Sequence, residues 1–509
     1  MPQPRYLTKS KFKLGMQCPT KLFYSDKREE YANRSLDDPF LKELASGGFP
    51  VGALARQYFP GGELIATQND DAAVDITAAY LGQAEVTLFE AAFRYGGLFV
   101  RTDIVVKNGN RLDLIEVKSK SFDFADESGC QTKEGLNADF QQHIEDVAFQ
   151  KHVISLAWPD LEISAHLMMV DKTVTAATEG LNQKFRLAND STGRRYVNVS
   201  DDLTQEDLAT PVLRAINVDG SCGRAYAADY QGRSFAEHVE WLCEHYVRDE
   251  KIPGVPAGVC KKCEFRAAVD DADKKCGYRE CWGAALGWAD ADFDDPTVFD
   301  VWSLKAEPLI KAGKIKLSDI ALEDITPKKD SSPYKTARKW LQITKALAKD
   351  TTPWIDRDGL TAEMAGWQFP LHFIDFETAM PAIPFKQGRR PYEGIAFQFS
   401  HHTVDEDGNV EHCGQFLETT PGIFPNYQFV RALKAQLETD GGSIFRYHSH
   451  ENSYLNTIWK QLKADTGDIP DKDELCTFIQ SIAKPTDSLK GEWEAGARNM
   501  IDLYDLVIR

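Results

Sequence analysis

The sequence has no apolar run approaching the ~20 residues that a membrane-spanning helix needs. Its first residues, Met1-Pro-Gln-Pro-Arg-Tyr-Leu-Thr-Lys, lack the apolar core of an export signal. A soluble, cytoplasmic protein with no membrane partner is therefore expected. Basic residues are outnumbered, 59 Lys and Arg against 78 Asp and Glu, for a formal charge of −19. That balance excludes a protein that coats nucleic acid through general phosphate neutralisation, so any nucleic-acid chemistry must use a local basic groove or bound metal. Cysteine is sparse, ten in 509 residues, which excludes a disulfide-built secreted scaffold. Histidine is absent before His143. Internal repeats and low-complexity tracts are missing as well, so at roughly 150 residues per unit the length implies about three globular domains.

What is present falls into distinct segments. A helix interrupted at Cys18-Pro19 is expected over 5–30, opening at Thr8 or Ser10. Then Val86–Tyr95, Leu98–Lys107 and Arg111–Ser119 read as three antiparallel strands joined by Gly96-Gly97 and Asn108-Gly109-Asn110 turns. A helix is expected around Ile144–Trp158, further strands over 163–200, and a helix over Phe235–Val247. Short helices with Pro and Asp breaks fill 290–365, including a Lys-rich stretch near 328–349. A second α/β pattern follows: strands at 369–378, 395–402 and 443–447, and helices over 427–438 and 451–463. The pattern is still helical at Arg509, with no stop signal, and the chain is expected to continue beyond it.

Three constellations carry chemistry. On the strand 111–119 side chains alternate, so Glu116 and Lys118 share a face, and hairpin pairing brings Asp103 of the neighbouring strand close to Glu116. Two carboxylates and a lysine are costly to bury unpaired. A divalent ion resolves that cost: carboxylate oxygens, a backbone carbonyl and waters suit Mg²⁺ or Mn²⁺. Such an ion acidifies a bound water, while Lys118 orients the water or a scissile phosphate. The competing reading is a solvent-facing strand with a weak Glu–Lys pair.

The second constellation is the close-set Cys260-Lys-Lys-Cys263 with Cys276 and Cys281 nearby. Those four are compatible with a local zinc knuckle. The third is His372-Phe-Ile-Asp375-Phe-Glu377, which places Asp375 and Glu377 on one face of an apolar strand, with Glu451 in a later acidic segment and Asp502 near the end.

At Val100-Arg-Thr-Asp103, Ile115-Glu116-Val117-Lys118-Ser119 and Asp146-Val-Ala-Phe-Gln150 the chain resembles the PD-(D/E)xK nucleases, in the RecB-like branch that includes the CRISPR-associated iron–sulfur exonucleases. The resemblance implies that Asp103 and Glu116 bind metal, that Lys118 is catalytic, and that Gln150 helps hold substrate or the lysine. Many of these enzymes carry a metal-ligating His upstream of the sheet, and here none precedes His143. The resemblance also implies a [4Fe–4S] cluster held by Cys18, Cys260, Cys263 and Cys281, with Cys276 the other candidate for the fourth ligand and zinc the alternative metal. A cluster spanning roughly 240 residues would remove chain entropy from the unfolded state, though the gain grows slowly with length.

The segments around Asp375 and Glu451 resemble the DnaQ-like (DEDD) exonucleases of ribonuclease-H-like fold. That likeness implies two metal ions on Asp375, Glu377 and Glu451, with the last acidic motif expected beyond residue 509. The order of parts is similar, over nearly the whole chain, to a bacterial family known only as a domain of unknown function.

The expected fold is therefore α/β. A RecB-like nuclease domain with iron–sulfur cysteines spans 1–288, a helical connector 289–365, and an incomplete DnaQ-like domain 366–509. The expected function is a Mg²⁺- or Mn²⁺-dependent deoxyribonuclease, an exonuclease or an endonuclease acting on ends or single strands, with RNA as the other candidate substrate. The alternative is a nucleic-acid-binding adaptor whose nuclease sites have decayed, held together by a structural zinc or iron–sulfur site.

Overall fold

A computed structural model describes residues 4–35, 47–133, 135–191, 193, 195–268, 271, 273–327, 329 and 333–508. Residues 36–46 and parts of the Lys-rich segment near 328–349 lie outside these. The fold is mixed α/β and divides into two units. The first comprises 1–177 and 181–324, the second 178–180 and 325–509. The connector expected over 289–365 is thus shared, 289–324 going to the first unit and the remainder to the second. Among the described residues, no helix is long and apolar enough to cross a membrane.

The first unit begins with β1 (Leu7–Thr8) and α1 (Lys9–Gln17), which Thr8 caps by accepting from the Lys11 amide. The helix ends at Cys18, and α2 (Lys21–Tyr24) follows, so the expected interruption at Cys18-Pro19 is present. Next come α3 (Gly48–Gln57), β2 (Glu63–Leu64) and α4 (Asp70–Leu81).

The expected three-strand meander is instead built from five pieces. Val86–Tyr95 divides into β3 (Glu85–Phe89) and β4 (Ala92–Tyr95), with Glu90 at φ +58° between them. Its partner divides likewise into β5 (Leu98–Arg101) and β6 (Ile104–Asn108), leaving Thr102 and Asp103 in the gap. β7 (Arg111–Phe122) continues the meander. The left-handed backbone at Glu90 turns the hairpin, so β4 and β5 join β1 in a small sheet of order β1-β5-β4. β3, β6 and β7 remain in the main sheet.

That main sheet has order β11-β8-β7-β6-β3-β2, with β8 at Glu162–Asp171 and β11 at Leu213–Asn217. β7 and β8 run parallel, so their connection must cross over, and α5 (Ala138–Ala157) makes the crossing. Asn137 caps this helix, whose first residue, Ala138, lies six residues before the expected start. Its middle is buried nearly all round, polar residues included. The two strands β9 (Phe185–Asn189) and β10 (Arg195–Val199) form a separate hairpin. Helices α6 (Asp219–Ala227), α7 (Phe235–Val247) and α8 (Gly277–Leu286) complete the labelled elements of the unit. One continuous apolar core joins α1, α5, α7 and the sheets, with Phe12 of α1 stacked on Phe149 of α5 at 4.4 Å.

The second unit opens with α9 (Pro333–Leu347) and α10 (Arg357–Met364). Its sheet uses β12 (Leu371–Ala379), β13 (Ile395–Val404), β14 (Val410–Leu417), β15 (Ile444–Arg446) and β16 (Ile501–Asp502). The order is β14-β13-β12-β15-β16. The first three strands pair antiparallel, and β15 and β16 are added in parallel. Helices α11 (Asn426–Leu437), α12 (His450–Ala464) and α13 (Lys472–Ile482) pack their apolar stripes into one core with β12 and β13, and α14 (Leu503–Ile508) follows β16.

The junction of β12 and β15 depends on Gly442. A Cβ there would lie 1.9 Å from the Pro370 carbonyl oxygen and 2.7 Å from His372 Nε2. Gly442→Ala should therefore destabilise the second unit by about 1–3 kcal/mol, the usual cost of overpacking. A urea midpoint within error of the parent would show that the loop before β15 yields freely.

Candidate functional site

The break between β5 and β6 sets the geometry of the first site. Ile104 pairs with Ile115, so Asp103, one residue earlier, lies beside Glu116. Its Oδ2 accepts a hydrogen bond from the Val117 amide at 2.7 Å. Asp103 was expected within a strand; it sits instead at the kink where the chain leaves one sheet for the other, and that kink frees its carboxylate to face β7.

Glu116 is 1% exposed. Lys118 lies on the same face, as strand alternation requires, and donates to Glu116 Oε1 at 2.5 Å and to Asp146 Oδ2 at 2.8 Å. Gln150 donates to Glu116 Oε2 at 2.9 Å. A second ammonium, Lys9 on the first turn of α1, reaches Glu116 Oε1 at 2.9 Å and Oε2 at 3.2 Å. The structure thus brings together Asp103, Glu116, Lys118 and Gln150, and adds Asp146 and Lys9. Asp146 precedes Gln150 by four residues and shares its helix face, a spacing that could have marked it. Lys9 is 107 positions from Glu116, and no local pattern marks it.

Electrostatics follow from this crowding. Burial alone would raise the Glu116 pKa, but Lys9 and Lys118 outweigh it and hold the group well below the ordinary carboxylate range. Asp103 is pushed up, first by withdrawal from water and then by the Glu116 charge. Asp146 is raised for the same two reasons. Burial would lower the Lys118 pKa, yet Glu116 and Asp146 keep it raised. His143 on α5 is pushed down to about 4 by burial and by Lys118, Lys120 and Lys13. Two oxygens here, Asp146 Oδ1 and Gln150 Oε1, are buried without a hydrogen-bond partner. A cleft lined by Phe12, Lys13, Met16, Gln141 and Asp146 opens beside them.

The thiols form a second site within the same unit. Cys18, Cys260, Cys263 and Cys281 line one cavity with Thr20, Tyr24, Tyr278 and Trp282. Cys276 does not line it; its sulfur accepts from the Ala267 amide. Gly254 passes close to the cavity, and a Cβ there would lie 2.0 Å from Cys281 Sγ. The Cys281 thiol is pushed up to about 11, by burial first and then by Cys18 and Cys260. None of the ten cysteines is disulfide-bonded.

In the second unit, Asp375 and Glu377 are exposed on one face of β12, while Ile374 and Phe376 face the core. Glu451, on the first turn of α12, is 3% exposed, and its Oε2 has no hydrogen-bond partner. Its pKa is pushed up to about 6, by burial first and by the charges of Asp375 and Asp502. Asp502 accepts from Arg446 Nη1 at 2.6 Å and from the His448 amide at 2.8 Å. Among the described residues, no three His, Cys, Asp or Glu side chains close round a common point as they would round a single metal ion.

Residues 372–509 match a family described as a domain of unknown function (DUF2779). No curated protein matches the chain. Among solved structures, the crystal structure of SSO0001 is similar at 13% identity, over 52% of this chain and 86% of that one, with a TM-score of 0.18.

Glu451 generates a stability prediction. Its folded pKa lies above the ordinary value, so between about pH 4.5 and 6 the native state holds a proton that the unfolded chain releases. Stability then falls as pH rises through that window, by up to about 2 kcal/mol. In EDTA, Glu451→Gln should raise the melting temperature of the second unit at pH 7.5 and leave it nearly unchanged at pH 4.5. An equal effect at both pH values would contradict the assignment.

Proposed function

We propose that this protein is a Mg²⁺- or Mn²⁺-dependent phosphodiester hydrolase acting on DNA, with its chemistry in the first unit. The observation that carries the reading is Lys118 held between Glu116 and Asp146, with Asp103 beside Glu116 and with Asp146 Oδ1 and Gln150 Oε1 left unpartnered. Hard oxygens collected at one acidic spot fit a hard divalent cation, and Asp103 and Glu116 would hold it. When bound, such an ion supplies an acidified water and positive charge opposite a phosphate that is gaining negative charge.

The chain's own residues do the rest. Lys118 is fixed between Glu116 and Asp146, so its ammonium is placed to orient the attacking water or a non-bridging phosphate oxygen. Gln150 is fully buried and holds Glu116 in one rotamer. Lys13 and Lys120, near His143, give a strongly acidic chain a local basic rim where a polyanion would lie. This arrangement is what a PD-(D/E)xK nuclease domain would supply.

The thiol cavity supports a [4Fe–4S] cluster on Cys18, Cys260, Cys263 and Cys281, with zinc as the alternative. Gly254 lets the backbone pass against Cys281, since any side chain there would collide with the thiol sulfur and displace it from the cavity wall. In the second unit, the strand order and the charges of Asp375 and Asp502 acting on buried Glu451 support a ribonuclease-H-like domain, with Asp375, Glu377 and Glu451 as candidate metal ligands. The competing reading is a DNA-binding adaptor with decayed sites. Its support is that Lys9 already sits on both oxygens of Glu116.

Glu116→Gln should lower Mn²⁺-dependent cleavage of labelled DNA by at least about a hundredfold, a barrier change near 2.7 kcal/mol. Unchanged cutting would remove the acid site from the chemistry, and tight binding of DNA ends without cleavage under any divalent metal would favour the adaptor. Protein prepared without oxygen should be brown and contain iron and sulfide. Cys18→Ser and Gly254→Ala should both bleach it; colourless parent protein holding zinc would support the knuckle.

A further inference from the structure

Lys9 has no part in the hydrolytic reading, yet it is seated directly on Glu116. Its ammonium bridges the two carboxylate oxygens, 2.9 Å from Oε1 and 3.2 Å from Oε2. Lys118 adds a second donor to Oε1, and Gln150 a second donor to Oε2. A carboxylate oxygen has about two lone-pair sites, so both oxygens of Glu116 are fully supplied. A metal ion can bond to this carboxylate only if one of the three donors withdraws.

The three donors are not equally free to leave. Gln150 is fully buried, in the middle of the long helix α5. Lys118 is also bound to Asp146, so its ammonium is held by two carboxylates rather than one. Lys9 comes from the first turn of α1, and its side chain retains 27% exposure. A lysine keeps four rotatable bonds and can swing its ammonium outward without moving its helix. Charge points the same way. With all three carboxylates ionised they outnumber the two ammonium groups by one charge, and exchanging Lys9 for a divalent ion brings the sum to zero.

We propose that Lys9 is a resident counter-ion of the acid site, which a divalent cation displaces from Glu116 on binding. The proposal rests on reading Asp103 and Glu116 as metal ligands. It makes Lys9 a positioning residue: it holds the carboxylate in place before the ion arrives and competes with the ion for it. The requirement for metal is therefore set partly by a residue at the start of the chain, far in sequence from the ligands.

The test is amine labelling of the whole chain with an acetylating reagent, read at each lysine by mass spectrometry, in EDTA and in Mn²⁺. Lys107, buried and donating to the Gln83 carbonyl, is the internal reference. Acetylation of Lys9 should rise several-fold with Mn²⁺ while Lys107 and Lys118 stay constant. In parallel, Lys9→Met should tighten Mn²⁺ binding by about tenfold, measured from the electron paramagnetic resonance of free Mn²⁺. If Mn²⁺ binds the parent while Lys9 labelling is unchanged or falls, the displacement proposal is overturned and the hydrolytic reading survives. If Lys9 is exposed by Mn²⁺ but no DNA is cut, displacement stands and the hydrolytic reading fails. If Mn²⁺ binds neither parent nor Lys9→Met, both fail.

Discussion

The charge balance round Glu116 is the constraint from which the rest of the first unit follows. An ionised carboxylate at 1% exposure is sustained only by close partners, because burial by itself would drive it to protonate. Three separate elements supply them: Lys9 from α1, Lys118 from its own strand, and Gln150 from α5. The surrounding architecture sets where each of them stands. The kink at Glu90 and Asp103 joins the two sheets beside the site, and the crossover helix α5 passes behind it. Phe12 stacked on Phe149 locks α1 onto α5 one residue before Gln150.

α1 ties this site to the thiols. Lys9 begins the helix and Cys18 ends it, a span of about 13 Å at 1.5 Å per residue. One short helix therefore places a donor on the buried carboxylate and a sulfur on the cavity wall. A group bound in the cavity would hold the far end of α1, and through it the backbone of Lys9. A metallocluster there would act on the acid site by anchoring this helix, without contributing a ligand to it.

The legible parts of the molecule were those governed by short periods. Strand alternation placed Glu116 with Lys118, and Asp375 with Glu377, on common faces, and the Gly-Gly and Asn-Gly turns marked the hairpins. The division of that meander between two sheets was not legible. Val86–Tyr95 contains no glycine or proline to mark a break, and the turn depends on one left-handed residue, Glu90. Asp146 could be read by its spacing to Gln150, whereas Lys9 could not be read at all, since its partner is set by tertiary packing. Among the cysteines, spacing left Cys276 and Cys281 equivalent. The direction of α8 separates them, turning Cys281 into the cavity and leaving Cys276 against the Ala267 amide.

A crystal structure of the whole chain grown in Mn²⁺, with anomalous diffraction recorded at the manganese edge, tests the central claim most directly. The account predicts an anomalous peak about 2.2 Å from carboxylate oxygens of both Asp103 and Glu116, with the Lys9 ammonium withdrawn from Glu116. Density showing Lys9 still bridging Glu116, with manganese bound elsewhere or not at all, would contradict it.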